Sequence, residues 1–278
     1  MISIMPKEFN LKGKRFLAGI VGDFVIKKQY QVFGPSITLL KEVILKHKEL
    51  KYDFLFTLPN PAAEKVCIRA GFMKLDITDR FVKVINPGKK IGKYFPKILR
   101  PALEPILDFI YKFISTETFI LQGLKEIQIE NAEKLNIDAV IEKKMDQYSK
   151  GIQNKKYFDW KYFRNPLNKY KLSKFELKYS GKCVGMLFYT ENKSIIHIYD
   201  FLEMENGYLK NITRKFINTK RKKKYESISI RLIEKSILAY DYRKLGFIQR
   251  NEKLPILFAG KPENMPTNWL FMDGERNI

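Results

Sequence analysis

The sequence predicts an α/β chain of two tandem modules, each a mixed twisted sheet flanked by helices, joined by an amphipathic helical linker. Three observations carry this. First, a pattern recurs: Asp23-Phe24 precedes Gly71-Phe72 by 48 positions, and Asp200-Phe201 precedes Gly246-Phe247 by 46. A spacing kept that closely over 278 residues marks two copies of one unit. Second, within each copy an apolar strand is followed by a helix-period segment, another strand and a short helix ending at glycine. Third, residues 93–114 carry an amphipathic stripe between the copies. The expected division is a first module over 1–88, a linker over 89–135 and a second module over 136–278.

In the first module, Phe16 to Ile26 (FLAGIVGDFVI) is almost wholly apolar and reads as a strand covered on both faces. Asp23 then lies inside a buried strand or at its end. It is either a hydrogen-bond partner or a general base whose pKa burial raises. A turn containing Gly34 leads into a helix with Ile37, Leu40, Ile44 and His47 on one face. Ser36 is the expected N-cap, and the exposed N–H groups behind it form a site for an anion such as pyrophosphate. The strand Asp53–Leu58 ends in Pro59-Asn60-Pro61, and a short helix from Ala62 to Ala70 closes at Gly71. Asn60 either meets a ligand amide or caps that helix.

These residues resemble the GNAT acetyltransferase superfamily. Gln31-x-x-Gly34-x-Ser36 is similar to its Gln/Arg-x-x-Gly-x-Gly/Ala pyrophosphate loop. Asn60-x-x-Ala63-x-x-Val66-Cys67-x-Arg69-x-Gly71-Phe72 is similar to its Asn-x-x-Ala-x-x-Leu-Tyr-x-Lys-x-Gly-Phe signature, in the same order and spacing. The resemblance implies acetyl-CoA as cosubstrate, held where two central parallel strands part, and direct acyl transfer to an amine without a metal. It implies that Val25 and Ile26 pair through backbone with the pantetheine arm. Gln31, Val32, Phe33, Gly34, Pro35 and Ser36 would hold the pyrophosphate, Asn60 would help position the cofactor, and Asp23 would be the catalytic base. Cys67 departs from the pattern, standing where the family has a tyrosine that protonates the leaving thiolate.

The second module opens with Phe158–Pro166 and a hairpin in which Phe175, Leu177 and Tyr179 alternate, Ser180-Gly181-Lys182 turns, and Cys183 to Tyr189 returns. Ile195–Phe201 and Ser229–Leu232 are strands, and Tyr242-x-Lys244-x-Gly246-Phe247 repeats the helix ending. The loop after Asp200 carries Glu203 and Glu205 and no Gly-containing cradle, so it repels a pyrophosphate. This copy reads as a degenerate one, with Tyr242 structural. Aligning the copies leaves the first short by about 40 residues at its start. Either a shortened chain borrows from its second half, or the sequence is a fragment of a longer frame.

In the linker, Phe95, Ile98, Leu99, Leu103, Ile106, Ile110 and Phe113 fall at helical spacing, with Pro101 and Pro105 kinking the helix or delaying its start. The apolar face is expected to be covered by protein. The alternative is peripheral contact with a membrane. Lys220–Lys224 is expected as a solvated loop.

Composition bounds the rest. Fifty-two Lys and Arg face 30 Asp and Glu, a net +22. Residues 1–112 hold 21 basic and 10 acidic residues, and 113–278 hold 31 and 20, so the excess is no tail. Such a surface attracts polyanions, but no zinc spacing, helix-turn-helix cue or aromatic-interleaved groove supports nucleic acid. Cys67 and Cys183, the two cysteines, exclude a disulfide framework and a zinc site. Neither a signal-like opening nor an 18-residue apolar run is present. The expectation is a bacterial-type cytoplasmic acyltransferase with an unidentified amine acceptor such as a cell-surface sugar or its precursor, peripheral contact with the inner face of the membrane being the alternative reading of the linker. A non-catalytic scaffold and an aminoacyl-tRNA-dependent peptidyltransferase are the alternatives.

Overall fold

The computed structural model describes residues 1–11, 13–25, 27, 33–115, 123–129, 150–152, 155–164, 170–205, 207–266, 269 and 271. The first half builds a β-hairpin, β1 (Ser3–Leu11) and β2 (Lys14–Gly22), then α1 (Phe33–Lys46), β3 (Phe54–Thr57), α2 (Pro61–Ala70) and β4 (Met73–Val84). α2 is bounded at both ends. The Asn60 carboxamide oxygen accepts from Ala63 N at 2.9 Å, and Gly71 at φ 116° reverses the chain so that Phe72 N–H reaches Cys67 O.

After α3 (Gly88–Gly92) and α4 (Arg100–Ile114) come β5 (Leu124–Ile129) and β6 (Lys150–Gly151). Next is α5 (Lys155–Phe158), which continues as π-helical turns through Asp159–Arg164. The second half then follows: β7 (Lys171–Leu177), β8 (Cys183–Asn192), β9 (Ile195–Glu203), α6 (Leu209–Lys222), β10 (Ser227–Ile233), α7 (Ile237–Lys244), β11 (Ile248–Gln249) and β12 (Leu254–Gly260). The repeat is geometric. Phe33 and Leu209 open 14-residue helices 176 positions apart, and Pro61 and Ile237 open the following helices 176 apart. The caps repeat too: Ser236 Oγ accepts from Ala239 N at 3.1 Å, as Asn60 accepts from Ala63.

All the described strands form one sheet, ordered β5-β7-β8-β9-β10-β4-β12-β3-β2-β1-β6, with β11 on β4. Only β2–β3 and β9–β10 are parallel. The halves exchange strands: β4 lies against β10 of the second half, and β12 runs between β3 and β4. Neither half owns a complete sheet.

α1 and α2 cover one face through Leu40, Val43, Cys67 and Ala70 against Val21, Leu55 and Leu257. α6 and α7 likewise cover the second half through Ile212, Phe216, Ile217 and Tyr242. The opposite face of the first half is aromatic, with Phe9, Phe54, Phe56, Phe258 and Trp269 in edge contacts such as Phe56–Trp269 at 5.1 Å. Each such ring contributes about 1.5–3 kcal/mol by leaving water.

Four expectations change. The strand expected over Phe16–Ile26 ends at Gly22, so Asp23 lies beyond it. The stretch 89–135 is helical over α3 and α4 but also supplies β5, an edge strand of the second half; α4 starts at Arg100, with Pro101 in its first turn and Pro105 inside. Its apolar face is not covered: no residue of α4 is buried, and Ile106, Phe109, Ile110 and Phe113 are all exposed. The run Lys220–Lys224 is not a solvated loop either. Its first three residues end α6, and Lys220 and Arg221 are buried because they continue the inward row from Phe216 and Ile217.

Candidate functional site

The two parallel strands β2 and β3 define the site's end of the sheet. They pair from Ala18–Phe54 to Ile20–Phe56 and then part, and the Thr57 hydroxyl donates to Val21 O at 2.8 Å across the point of separation. Because the strands are parallel, the segments leaving them emerge at the same end, where α1 and α2 both begin. The start of α2 is already capped by Asn60 and carries Glu64 in its first turn, which leaves the start of α1 as the helix end that would favour an anion there.

Asp23 sits at the exit of β2. Its φ of 46° is unusual for a residue with a side chain, and its exposed carboxylate accepts from Ser3 Oγ at 2.8 Å. The expected burial is absent, so its reactivity has to come from position and not from desolvation. Val25 is exposed, but its backbone is engaged: its N–H donates to Met1 O at 3.0 Å, and its carbonyl accepts from the Met1 amine at 2.8 Å. That pairing competes with the pantetheine contact expected of it. Ile26, Gln31 and Val32 lie outside the described residues.

α1 begins at Phe33, four residues earlier than expected, because Pro35 fits a helix's first turn, where its missing N–H has no partner to lose. Ser36 is therefore not the N-cap but a buried residue inside the turn. Gly34 and Pro35 are exposed. Among the described residues a Cβ built on Gly34 would meet nothing within 4 Å, so no packing among them calls for glycine at this helical position. The first turn of α1 carries no acid. The start of α1 therefore presents two exposed residues and no acid at the positive end of a helix.

The second copy is closed at the equivalent point. β9 and β10 pair from Ser227–Ile195 to Ile230–Ile198, and α6 begins beyond them, but Glu203 Oε1 accepts from Leu209 N at 3.1 Å. The protein's own carboxylate thus takes the place an anionic ligand would occupy. Lys210, the counterpart of Gly34 at the repeat distance, is drawn to Asp241 at 2.8 Å. Asp200 differs from Asp23 in being fully buried, where it accepts from Tyr162 OH at 3.1 Å; burial holds that phenol well above its usual pKa.

Cys67, at the family's tyrosine position, is buried in the core under α2, and desolvation pushes its thiol up to about 11. Tyr242 is buried, its hydroxyl 3.5 Å from Thr213 Oγ1, and burial raises it to about 12. Asn60 spends its oxygen on the α2 cap, which leaves only its amide nitrogen for a ligand. Sequence reasoning missed Thr57, the bridge at the strand separation; a hydroxyl ending the apolar run Phe54-Leu55-Phe56 was its signal. Among the described residues, no group of His, Cys, Asp and Glu is arranged to hold a metal ion.

No family model matches the chain, and no curated protein matches it by sequence. Solved structures do match its shape. A conserved Enterococcus faecalis protein described as a probable N-acyltransferase superposes with a TM-score of 0.61 at 12% identity, over 92% of this chain and 57% of its own. A GCN5-related N-acetyltransferase from Anabaena variabilis gives 0.64 at 11% identity, over 92% and 58%. Saccharomyces cerevisiae N-myristoyltransferase with bound myristoyl-CoA gives 0.57 at 12% identity, over 96% and 70%. The chain thus spans less than three fifths of the length of the first two. With the parted parallel strands, the paired helix N-termini and the duplicated unit already in view, this likeness shows that the chain has the GNAT fold.

Proposed function

We propose that the chain is an acyl-CoA-dependent N-acyltransferase that takes its donor in the first half only. The observation that carries this is the contrast between two equivalent helix ends. At α1, Gly34 meets no described residue and the turn holds no acid, whereas at α6 Glu203 already satisfies the end. The pyrophosphate would rest on the first turn of α1, with Asn60 contributing its amide nitrogen and the thioester lying between the parted strands β2 and β3. Asp23, exposed at the exit of β2, is positioned to accept the proton the acceptor amine loses on attacking the thioester carbonyl. Cys67, held neutral by burial, retains a proton but sits in the core, so the leaving thiolate takes its proton from water. Acetyl-CoA is the proposed donor, and an amine on a cell-surface sugar or its precursor the proposed acceptor class.

The test is calorimetric titration with acetyl-CoA, followed by thiol release over a panel of amines. One donor per chain and turnover with at least one amine are expected. A chain that binds no acyl-CoA would return the reading to a scaffold or to a tRNA-dependent transferase, neither of which uses this donor. Binding without turnover would mark a degenerate enzyme.

A further inference from the structure

α4 meets the rest of the protein with its polar side. Asp108 Oδ1 accepts from Gly88 N at 2.6 Å, and the Glu104 side chain packs on Gly92. Ser115 Oγ, just past the helix end, accepts from the Arg221 guanidinium at 3.3 Å, while Tyr111 faces the same guanidinium at 6.0 Å. These inward residues leave Ile106, Phe109, Ile110 and Phe113 on the opposite side in one stripe at three- and four-residue spacing. The stripe faces outward, with Phe109 and Phe113 at 60% and 64% exposure and their rings stacked edge to face at 4.7 Å. It continues into the turn before the helix, where Tyr94 and Ile98 are 90% and 87% exposed. This is the reverse of an ordinary surface helix.

Charge on this hairpin has one sign outward. Lys90, Lys93, Lys97 and Lys112 are exposed, whereas Glu104 and Asp108, the two acids between residues 88 and 114, lie on the inner side. An apolar face rimmed by cations is complementary to an anionic bilayer: rings and aliphatic chains enter the headgroup boundary while lysines reach lipid phosphates. A second copy is a poorer occupant, because apposing two such faces brings like charges together. α4 has 15 residues, and among the described residues no helix is long and apolar enough to cross a membrane, so the contact is one of lying on the surface. We propose that the α3–α4 hairpin docks the protein onto an anionic lipid surface through the Tyr94–Phe113 face.

The test is co-sedimentation of the full chain with phosphatidylcholine vesicles, with and without phosphatidylserine. The chain should partition at least about tenfold more strongly onto the anionic vesicles and be released by added salt. Phe109→Glu with Phe113→Glu should lower that partitioning more than tenfold with the melting temperature unchanged, since both rings are exposed. Lys93→Glu with Lys97→Glu should remove the preference for anionic lipid. A parent that binds neither vesicle, or a Phe109→Glu/Phe113→Glu variant that binds as well as the parent, overturns the proposal. So does a parent dimer that ignores vesicles and is split by the same pair of substitutions, which would make the face an interface between copies. A large loss of stability in that variant would show that protein covers the face, and would overturn the proposal as well.

Discussion

Gly34→Ala should raise stability and lower acyl-CoA affinity at once, and the opposite signs make it the sharpest test of the site. The glycine lies in the first turn of α1, outside the positive-φ region, and an added Cβ meets no atom of the described residues within 4 Å. Alanine therefore fits without strain and removes the entropic cost of ordering glycine, about 1 kcal/mol in a helix interior and roughly half that near an end. For a chain of this size that is about 1–2 °C in melting temperature. The same methyl stands where a pyrophosphate would approach the backbone. A hydrogen bond from an N–H to a charged group contributes about 1.5–3 kcal/mol, so losing one weakens binding about ten- to a hundredfold. Calorimetry with acetyl-CoA and a thermal melt read both effects on one sample. Leu45→Ala, an exposed change at the far end of α1, is the control and should leave affinity unchanged. If Gly34→Ala binds acetyl-CoA as tightly as the parent, the first turn of α1 is not the pyrophosphate cradle.

Asp23→Asn should slow thiol release about a hundredfold by removing the base, whereas Cys67→Ser should stay within about tenfold; the reverse ranking would undo both assignments. Glu203→Ala should destabilise by about 1 kcal/mol in a urea titration, by stripping an N–H acceptor and a favourable charge from α6, while donor stoichiometry stays at one. Phe258→Ala should cost about 3–5 kcal/mol, and because β12 is shared by both halves the loss should appear as one cooperative transition; two separated transitions would contradict the exchanged sheet. Burial lowers the Lys220 ammonium from 10.5 to about 8, although Glu126 and Glu191 nearby favour its charged form. The unfolded chain thus holds more protons than the folded one between about pH 8 and 10. Stability relative to Lys220→Met should rise by about 2 kcal/mol across that window, and a flat difference would refute the shift.

Local chemistry was legible in the sequence wherever a residue acts on its neighbours. Gly71 ends α2 because reversing a helix takes a positive φ, and Gly181 turns the β7–β8 hairpin at φ 66° for the same reason. The repeat was legible because the copies kept the spacing of their elements, both pairs of helices starting 176 positions apart. Partnership was not. An apolar strand declares that both faces are covered but not by which strand, so nothing in Leu254–Gly260 reveals that it slots between β3 and β4. Amphipathicity has the same blindness, since the pattern of α4 is identical whether its apolar side points in or out. Lys220 differs for another reason: it sits in a charge run that resembles a loop but also continues the row Ile212, Phe216, Lys220, four apart and all buried.

The exchange of strands bears on why the second half would keep its sheet if only the first half takes a donor. β3 carries half of the donor-side opening, and its outer neighbour is β12, contributed from the far end of the chain. The strand separation that would admit a thioester is therefore held in place by residues of the copy whose own helix end is closed by Glu203. That arrangement gives the second half a reason to keep its sheet and core while its ligand loop diverges. Where Gly34 leaves α1 open, Glu203 satisfies α6 from within, and a helix end satisfied internally adds to the stability of the shared sheet instead of waiting on a ligand. On the proposed function one copy would be completed by an anion from solution, whereas the other supplies its own.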